Sequence, residues 1–306
     1  MAVSSATGHP AYSGTFIPEV WSGNLVDKFY DATVFGEICN TDYEGDISDM
    51  GDKVHIRTVP SITIRAYEKG QDLEYENPES PNVELVVDKA RYFGFACDDI
   101  DAYQTDLDLM DNWSEDASEQ MKIEIDSDIL ADVWADADAA NTGATAGRKS
   151  EMYDMGETGA PVSLTKENII DYLVDAGSVL DEQSVPESDR WIILPAKFTG
   201  MIKKSDLKDA SLSGDSESIV RNGRVGRIDR FMVYQSNNLP IEEDDTDRVF
   251  PCIFGHKSAI TFASQMTKMD TLKSEKRFSQ LVRGLNVYGY EVIKPESMGV
   301  LYATAG

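Results

Sequence analysis

Apolar and polar residues alternate from Lys53 to Tyr67, around Pro60. Period-two alternation marks a strand with one buried face, and the proline puts it at an edge or a break. A second strand-like run covers Val83 to Cys97, and the stretch between, Glu68 to Asn82, is polar and turn-rich. Together they predict a long β-hairpin with few obvious sheet partners. An isolated hairpin is marginal in water, so this one needs another surface to lie on. From Asp98 to Ala140 the period changes. Tyr103, Leu107, Met110, Trp113, Ala117, Met121, Ile125, Ile129, Val133 and Ala137 step by three or four, which predicts a helix. Over roughly 35 residues it would run ~50 Å, with its stop near Thr142-Gly143.

The flanks are less periodic. Residues 1–40 mix glycine, proline and scattered aromatics, among them Tyr12, Phe16 and Trp21. Glu19 to Tyr30 reads as a short helix, and the stretch before it as an arm. Residues 143–162 read as loop. From Leu164 a βα-type unit begins, with an amphipathic helix from Asn168 to Leu180, an apolar strand Trp191-Ile-Ile-Leu-Pro195 and a helix over Lys197–Lys204. Ser205 to Ser218 is polar loop. A Gly-Arg turn at 223–227 leads into a strand at Phe231–Gln235, which ends in turn chemistry at Ser236-Asn-Asn-Leu-Pro240. Further strand patterns follow from Phe254 to Gln265 and from Leu285 to Tyr302.

With 306 residues, 41% of them hydrophobic, the chain can build one large or two modest cores. It has no run of ~18 apolar residues, so no membrane helix is expected, and its opening lacks the basic and apolar stretches of a signal peptide. The formal net charge is −27 and is unevenly placed. Residues 219–306 carry 12 basic and 10 acidic side chains, and residues 1–218 carry 16 basic and 45 acidic. Fifteen of the acids lie between Asp98 and Asp138, alongside one lysine, Lys122. Such a face repels nucleic acid and favours solubility. It fits adaptation to a salty environment as well as a specific role.

Candidate chemistry is sparse. Cys39, Cys97 and Cys252 are odd in number and widely spaced, so neither a disulfide framework nor a thiol metal site is expected. His256 has no orienting acid or nucleophile motif beside it. The acidic run Glu242–Asp247, and Asp46, Asp49 and Asp52 around Gly51, lack the EF-hand pattern and read as solvated loops. No cofactor, metal or catalytic residue is expected. Arg221, Arg224, Arg227 and Arg230 recur every three residues without the interleaved aromatics of a stacking nucleic-acid surface.

The order of parts is arm, hairpin, long helix, α/β unit and closing strands. It resembles the major capsid proteins of tailed bacteriophages, with the Hong Kong 97-type fold. The resemblance is carried by Trp191–Pro195 with its following helix, by the block Gly226-Arg-Ile-Asp-Arg-Phe-Met-Val-Tyr-Gln-Ser-Asn-Asn-Leu-Pro240, and by Val287–Pro295 before Val300-Leu-Tyr302. It implies an α+β chain: an N-terminal arm (1–45), an extended β-hairpin loop (46–98), a spine helix with part of the peripheral domain (99–163), an axial α/β domain (164–262) and long peripheral-sheet strands (263–306). The function it implies is assembly through hexamers and pentamers into an icosahedral shell around double-stranded DNA. Partners would be further copies of the chain, a separate scaffolding protein, a portal protein and a possible decoration protein, with no membrane.

Subunit contacts are expected from Tyr12, Phe16 and Trp21 in the arm and from Ile62, Ile64, Tyr67, Lys69 and Tyr75 in the loop. The series Arg221, Arg224, Arg227 and Arg230 is expected to pair with acidic neighbours, since charge complementarity sets register. Asp111, Glu115, Asp126 and Asp132 are expected on an inner, DNA-facing wall. The alternatives are an encapsulin-like nanocompartment shell and an acid-rich metal-dependent hydrolase.

Overall fold

A computed structural model describes residues 33–43, 53–57, 62–77, 82–98, 109–205, 226–244, 247–274 and 278–306. The arm residues Tyr12, Phe16 and Trp21, the expected helix at 19–30, and Arg221 and Arg224 lie outside them.

The continuous apolar run Trp191-Ile-Ile-Leu is the centre of the molecule. It forms β5 (Arg190–Leu194), in which all five residues are buried. A strand apolar on both faces belongs between two packed layers, and β5 has one on each side. Its neighbours build a mixed seven-stranded sheet, ordered β4 (Val162–Leu164), β12 (Met298–Ala305), β9 (Asp247–His256), β5, β7 (Phe231–Gln235) and β6 (Arg227–Ile228). A short β8 (Glu242–Asp244) pairs with β9. Ile192 and Leu194 face the first core, under α3 (Ile169–Glu182) and α4 (Ala196–Lys204), with Leu173, Leu180, Phe198 and Ile202 filling it. Trp191 and Ile193 face the second core.

That second core joins the sheet to the long helix α2 (Leu109–Asp132) through Ile125, Ile129 and Leu130. It also takes in Ile38 from the helical turn α1 (Phe35–Ile38), and Ile260, Phe262 and Tyr288 from a second sheet. Among the described residues α2 runs from Leu109 to Asp132 and continues as 3-10 turns at Val133–Asp136 and Ala139–Asn141. Residues 99–108, which the sequence reading adds to it, lie outside the described set.

The second sheet is antiparallel and three-stranded, ordered β10 (Ile260–Lys273), β11 (Ser279–Val292) and β3 (Lys89–Asp98). It corrects two expectations. The strand-like run 83–97 is two strands, because only β3 joins this sheet. The preceding β2 (Asn82–Val86) pairs with β1 (Lys53–Arg57) in a separate ribbon. Of the expected strand over 53–67, the described residues show a strand at 53–57 and no ladder at 62–68, while 58–61 lie outside the described set. The closing strand also departs from the expected grouping of 263–306. β12 pairs with β9 and β4 in the large sheet, while β10 and β11 form the long pair.

Gly289 fixes how the ribbon meets the sheet. A Cβ there would fall 2.1 Å from the Val86 carbonyl oxygen, inside any tolerable contact. The bare backbone lets the chain cross between β2 and β3 directly over β11. Ile56, Leu85 and Val87 then pack with Ala263 and Ile293 as a third small core.

Candidate assembly surfaces

Beyond the ribbon, residues 62–77 project as a loop in which every residue is exposed. It turns at Lys69-Gly70, where Gly70 has φ 93° and Gln71 N–H donates to the Glu68 carbonyl at 3.0 Å. Side chains hold its two limbs together. Thr63 N–H donates to Glu76 Oε1 at 2.6 Å, and Arg65 pairs with Glu74. Ile62, Ile64, Tyr67, Leu73 and Tyr75 are left in solvent, Ile64 at 91% and Tyr75 at 89% exposure. The structure thus brings Ile62, Ile64, Tyr67, Lys69 and Tyr75 onto one protruding element. Isolated exposed apolar side chains are ordinary, but five in sixteen residues of a single loop form the kind of surface that marks a partner site.

The spine helix is fastened to the β3/β11 sheet by ion pairs and phenols. Arg91 grips Asp128 with two donors, Nη2 to Oδ1 at 2.7 Å and Nε to Oδ2 at 3.0 Å, and the Tyr288 hydroxyl donates to the same carboxylate. Lys89 and the Tyr290 hydroxyl both donate to Asp132, whose pKa they hold below the ordinary carboxylate value. Burial, and the carboxylate each one meets, push both phenols well above the usual tyrosine value.

Of the four acidic positions expected on one wall, Glu115 and Asp132 are exposed and the Asp111 side chain lies outside the described residues. Asp126 is corrected. It is fully buried and faces no solvent. Its Oδ1 accepts the main-chain N–H groups of Val34 (2.9 Å) and Phe35 (2.8 Å), and its Oδ2 accepts Asn238 Nδ2 at 2.7 Å. One carboxylate therefore joins the end of the N-terminal segment, the spine helix and the chain after β7. Its place in the sequence carries the signal: Asp126 stands three and four residues before Ile129 and Leu130, on the apolar stripe.

The arginine series also divides. Arg230 pairs within its own chain, with Asp181 and Asp229. Asp181 serves Arg190 as well, at 2.8 Å. The Arg190 side chain has no exposed surface and donates further to the carbonyls of Gly177, Val185 and Pro186. Arg227 is exposed on β6, the last strand of the large sheet.

His256 Nδ1 lies 2.8 Å from Ser258 Oγ and accepts Ser258 N–H at 3.1 Å, so it organises the β9–β10 turn, and burial lowers its pKa. Among the described residues, no group of three or more His, Cys, Asp or Glu is placed to hold a metal ion. No helix among them is long and apolar enough to cross a membrane.

No family model and no curated protein matches the chain. Solved structures do match. One from Mycobacterium phage Che8 superposes with a TM-score of 0.76 at 27% identity, covering 95% of this chain and 98% of that one. The capsid structure of the cyanophage P-SCSP1u gives 0.71 at 14% identity, over 95% and 94%. The capsid of Ralstonia phage GP4 gives 0.68 at 13% identity, over 99% and 98%. Spine helix, ribbon with projecting loop, three-stranded sheet and seven-stranded sheet are thus matched over nearly the whole chain, which has the tailed-phage major capsid protein fold of the Hong Kong 97 type.

Proposed function

We propose that the chain is a major capsid protein, a structural subunit that assembles with copies of itself into the shell of a virion. The match of the fold over 95% of the chain carries this reading. The projecting loop gives it a mechanism. Residues 62–77 carry apolar side chains that their own chain leaves uncovered, and a neighbouring subunit is the surface that covers them. Burial of large apolar side chains is worth about 1.5–3 kcal/mol each. A few such contacts per subunit, repeated around closed symmetry, stabilise a shell from individually weak interfaces.

The finer reading is assembly through hexamers and pentamers into an icosahedral shell around double-stranded DNA. The arm (1–45) and the loop (46–98) would be exchanged between neighbours, and the spine helix and long strands would form the wall. Glu115 and the other exposed acids of the helix would face the genome and repel it. A scaffolding protein, a portal and a possible decoration protein are the partners such a shell uses. The chemistry is contact and not catalysis.

Purified chain, alone and co-expressed with the scaffolding protein of its own genome, tests the reading by sedimentation velocity and negative-stain microscopy. Closed or curved particles are the expected result. Monomers under every condition would sink it.

A further inference from the structure

A recess of about 220 Å3 opens where the Trp191 face of the large sheet runs past the second core toward the β6–β7 edge. Four cationic side chains and two carboxylates line it, in a chain whose net charge is −27. Two of the cations are already committed, since Arg190 and Arg230 share Asp181. The other two are Arg227, on β6, and Lys257, in the β9–β10 turn. Neither forms an ion pair among the described residues. Glu37, also in the lining, accepts from the Tyr234 hydroxyl at 3.5 Å. In the lining Trp191 is 2% exposed, and its indole N–H is buried without a hydrogen-bond partner among the described residues. A buried donor left unmade is costly and calls for an acceptor.

We propose that this recess receives a carboxylate side chain from a second copy of the chain, held by Arg227 and Lys257 with the Trp191 indole N–H as a further donor. The inference rests on the shell reading above and gives it a specific contact. Charge complementarity favours a second copy as the source. The chain holds 55 acidic side chains against 28 basic ones, so every copy presents abundant carboxylate. The recess lies beside β6, the last strand of the large sheet among the described residues, and Arg227 there is exposed. Of the regular arginine series, Arg227 becomes the interface residue, while Arg230 belongs to its own subunit.

The test compares full-length chains bearing Arg227→Glu, Lys257→Glu or Trp191→Phe with Lys197→Glu, which makes the same charge change at an exposed site on α4. Arg227→Glu and Lys257→Glu should keep the thermal midpoint of the unassembled chain. Both should slow capsomer formation by about tenfold or more, as reversing a charge that steers two surfaces together does. Trp191→Phe should slow it less, and Lys197→Glu should leave it unchanged. Recovery of Arg227→Glu by an Asp→Lys or Glu→Lys change elsewhere in the chain would identify the incoming carboxylate. Normal assembly of both glutamate variants overturns the proposal, and so does an equal defect in Lys197→Glu. Inorganic phosphate raising the midpoint of the unassembled wild-type chain, but not of Arg227→Glu, would assign the recess to a free anion and overturn the second copy. Wild-type chain that never forms particles would fail the shell reading itself, a distinct result.

Discussion

The buried carboxylate of Asp126 accepts the main-chain N–H of Val34 at 2.9 Å, across 92 residues of sequence. Asp126→Ala leaves three donors, Val34 N–H, Phe35 N–H and Asn238 Nδ2, without their acceptor. Each orphaned buried donor costs about 1–3 kcal/mol, so the variant should lose several kcal/mol in urea unfolding. Asp126→Asn should lose far less. Its Oδ1 still accepts both main-chain donors, and its amide can donate to Asn238 once the Asn238 amide flips. A large loss in Asp126→Asn would show that the charge, not the hydrogen bonding, holds the segment.

The same site sets a pH dependence. Burial raises the Asp126 pKa above its ordinary value of 3.8, against the three hydrogen bonds that lower it. A raised carboxyl pKa means that the folded state binds the proton more tightly than the unfolded state does. The contribution is therefore fully present in acid and is lost as pH rises through the folded pKa. The stability difference between wild type and Asp126→Asn, measured from pH 4 to 7, should shift in favour of the variant as pH rises. A flat difference would remove the linkage.

Gly289 makes a sharper steric claim. Gly289→Ala puts a methyl 2.1 Å from the Val86 carbonyl oxygen, and neither atom can shift without moving the backbone that carries it. The ribbon must lift, at a cost of about 1–3 kcal/mol in the manner of overpacked cores. Gly94→Ala is the control, since its nearest neighbour is at 3.8 Å and it should stay within about 0.5 kcal/mol. Limited proteolysis should also cut residues 62–77 faster in Gly289→Ala. Equal stability of the two variants would refute the crossing as a constraint.

These positions mark where the sequence could be read and where it could not. β5 was legible because a strand covered on both faces leaves an uninterrupted apolar run, and α3 and α4 because each buries a single stripe. The break between β2 and β3 was not. The run 83–97 keeps one pattern throughout, and what divides it is a glycine some 200 residues later. The distal half of 53–67 alternates like a strand, yet Ile62 and Ile64 lie in limbs joined through Arg65–Glu74 and Thr63–Glu76 side chains instead of a main-chain ladder. The acidity of α2 hid Asp126 among surface carboxylates, and Arg230 looked like its neighbours in the series until Asp181 was placed beside it. In each case the deciding partner is remote in sequence.

Arg190 should be among the least replaceable polar residues. Its buried guanidinium meets Asp181 and the carbonyls of Gly177, Val185 and Pro186. Arg190→Lys offers a single ammonium with three donors and cannot reproduce the fork. Arg190→Ala takes away the donors that the Val185 and Pro186 carbonyls accept and leaves a cavity. Breaking a buried ionic contact from one side costs about 3–5 kcal/mol. Asp181 keeps Arg230, which limits the loss to the carbonyls and the cavity. Arg190→Ala should therefore unfold at markedly lower urea, and Arg230→Ala, at a part-exposed pair, should change stability by less than about 1 kcal/mol.

The loop separates folding from assembly. Ile64 and Tyr75 are nearly as exposed as side chains can be, so their own chain gains little from them. Ile64→Asp and Tyr75→Asp should each leave urea unfolding of the single chain within about 0.5 kcal/mol of wild type. On the proposed exchange of the loop between neighbours, the same positions would lie under another subunit. An aspartate there loses the apolar contact and carries a buried charge without a partner, which is far costlier than the lost contact alone. Particle yield should fall sharply in both variants, and Lys69→Ala, at the turn, should fall less. Normal yield from Ile64→Asp with Tyr75→Asp combined would mean that no neighbour covers this loop, and the shell would then have to be held by the arm and the sheet edges.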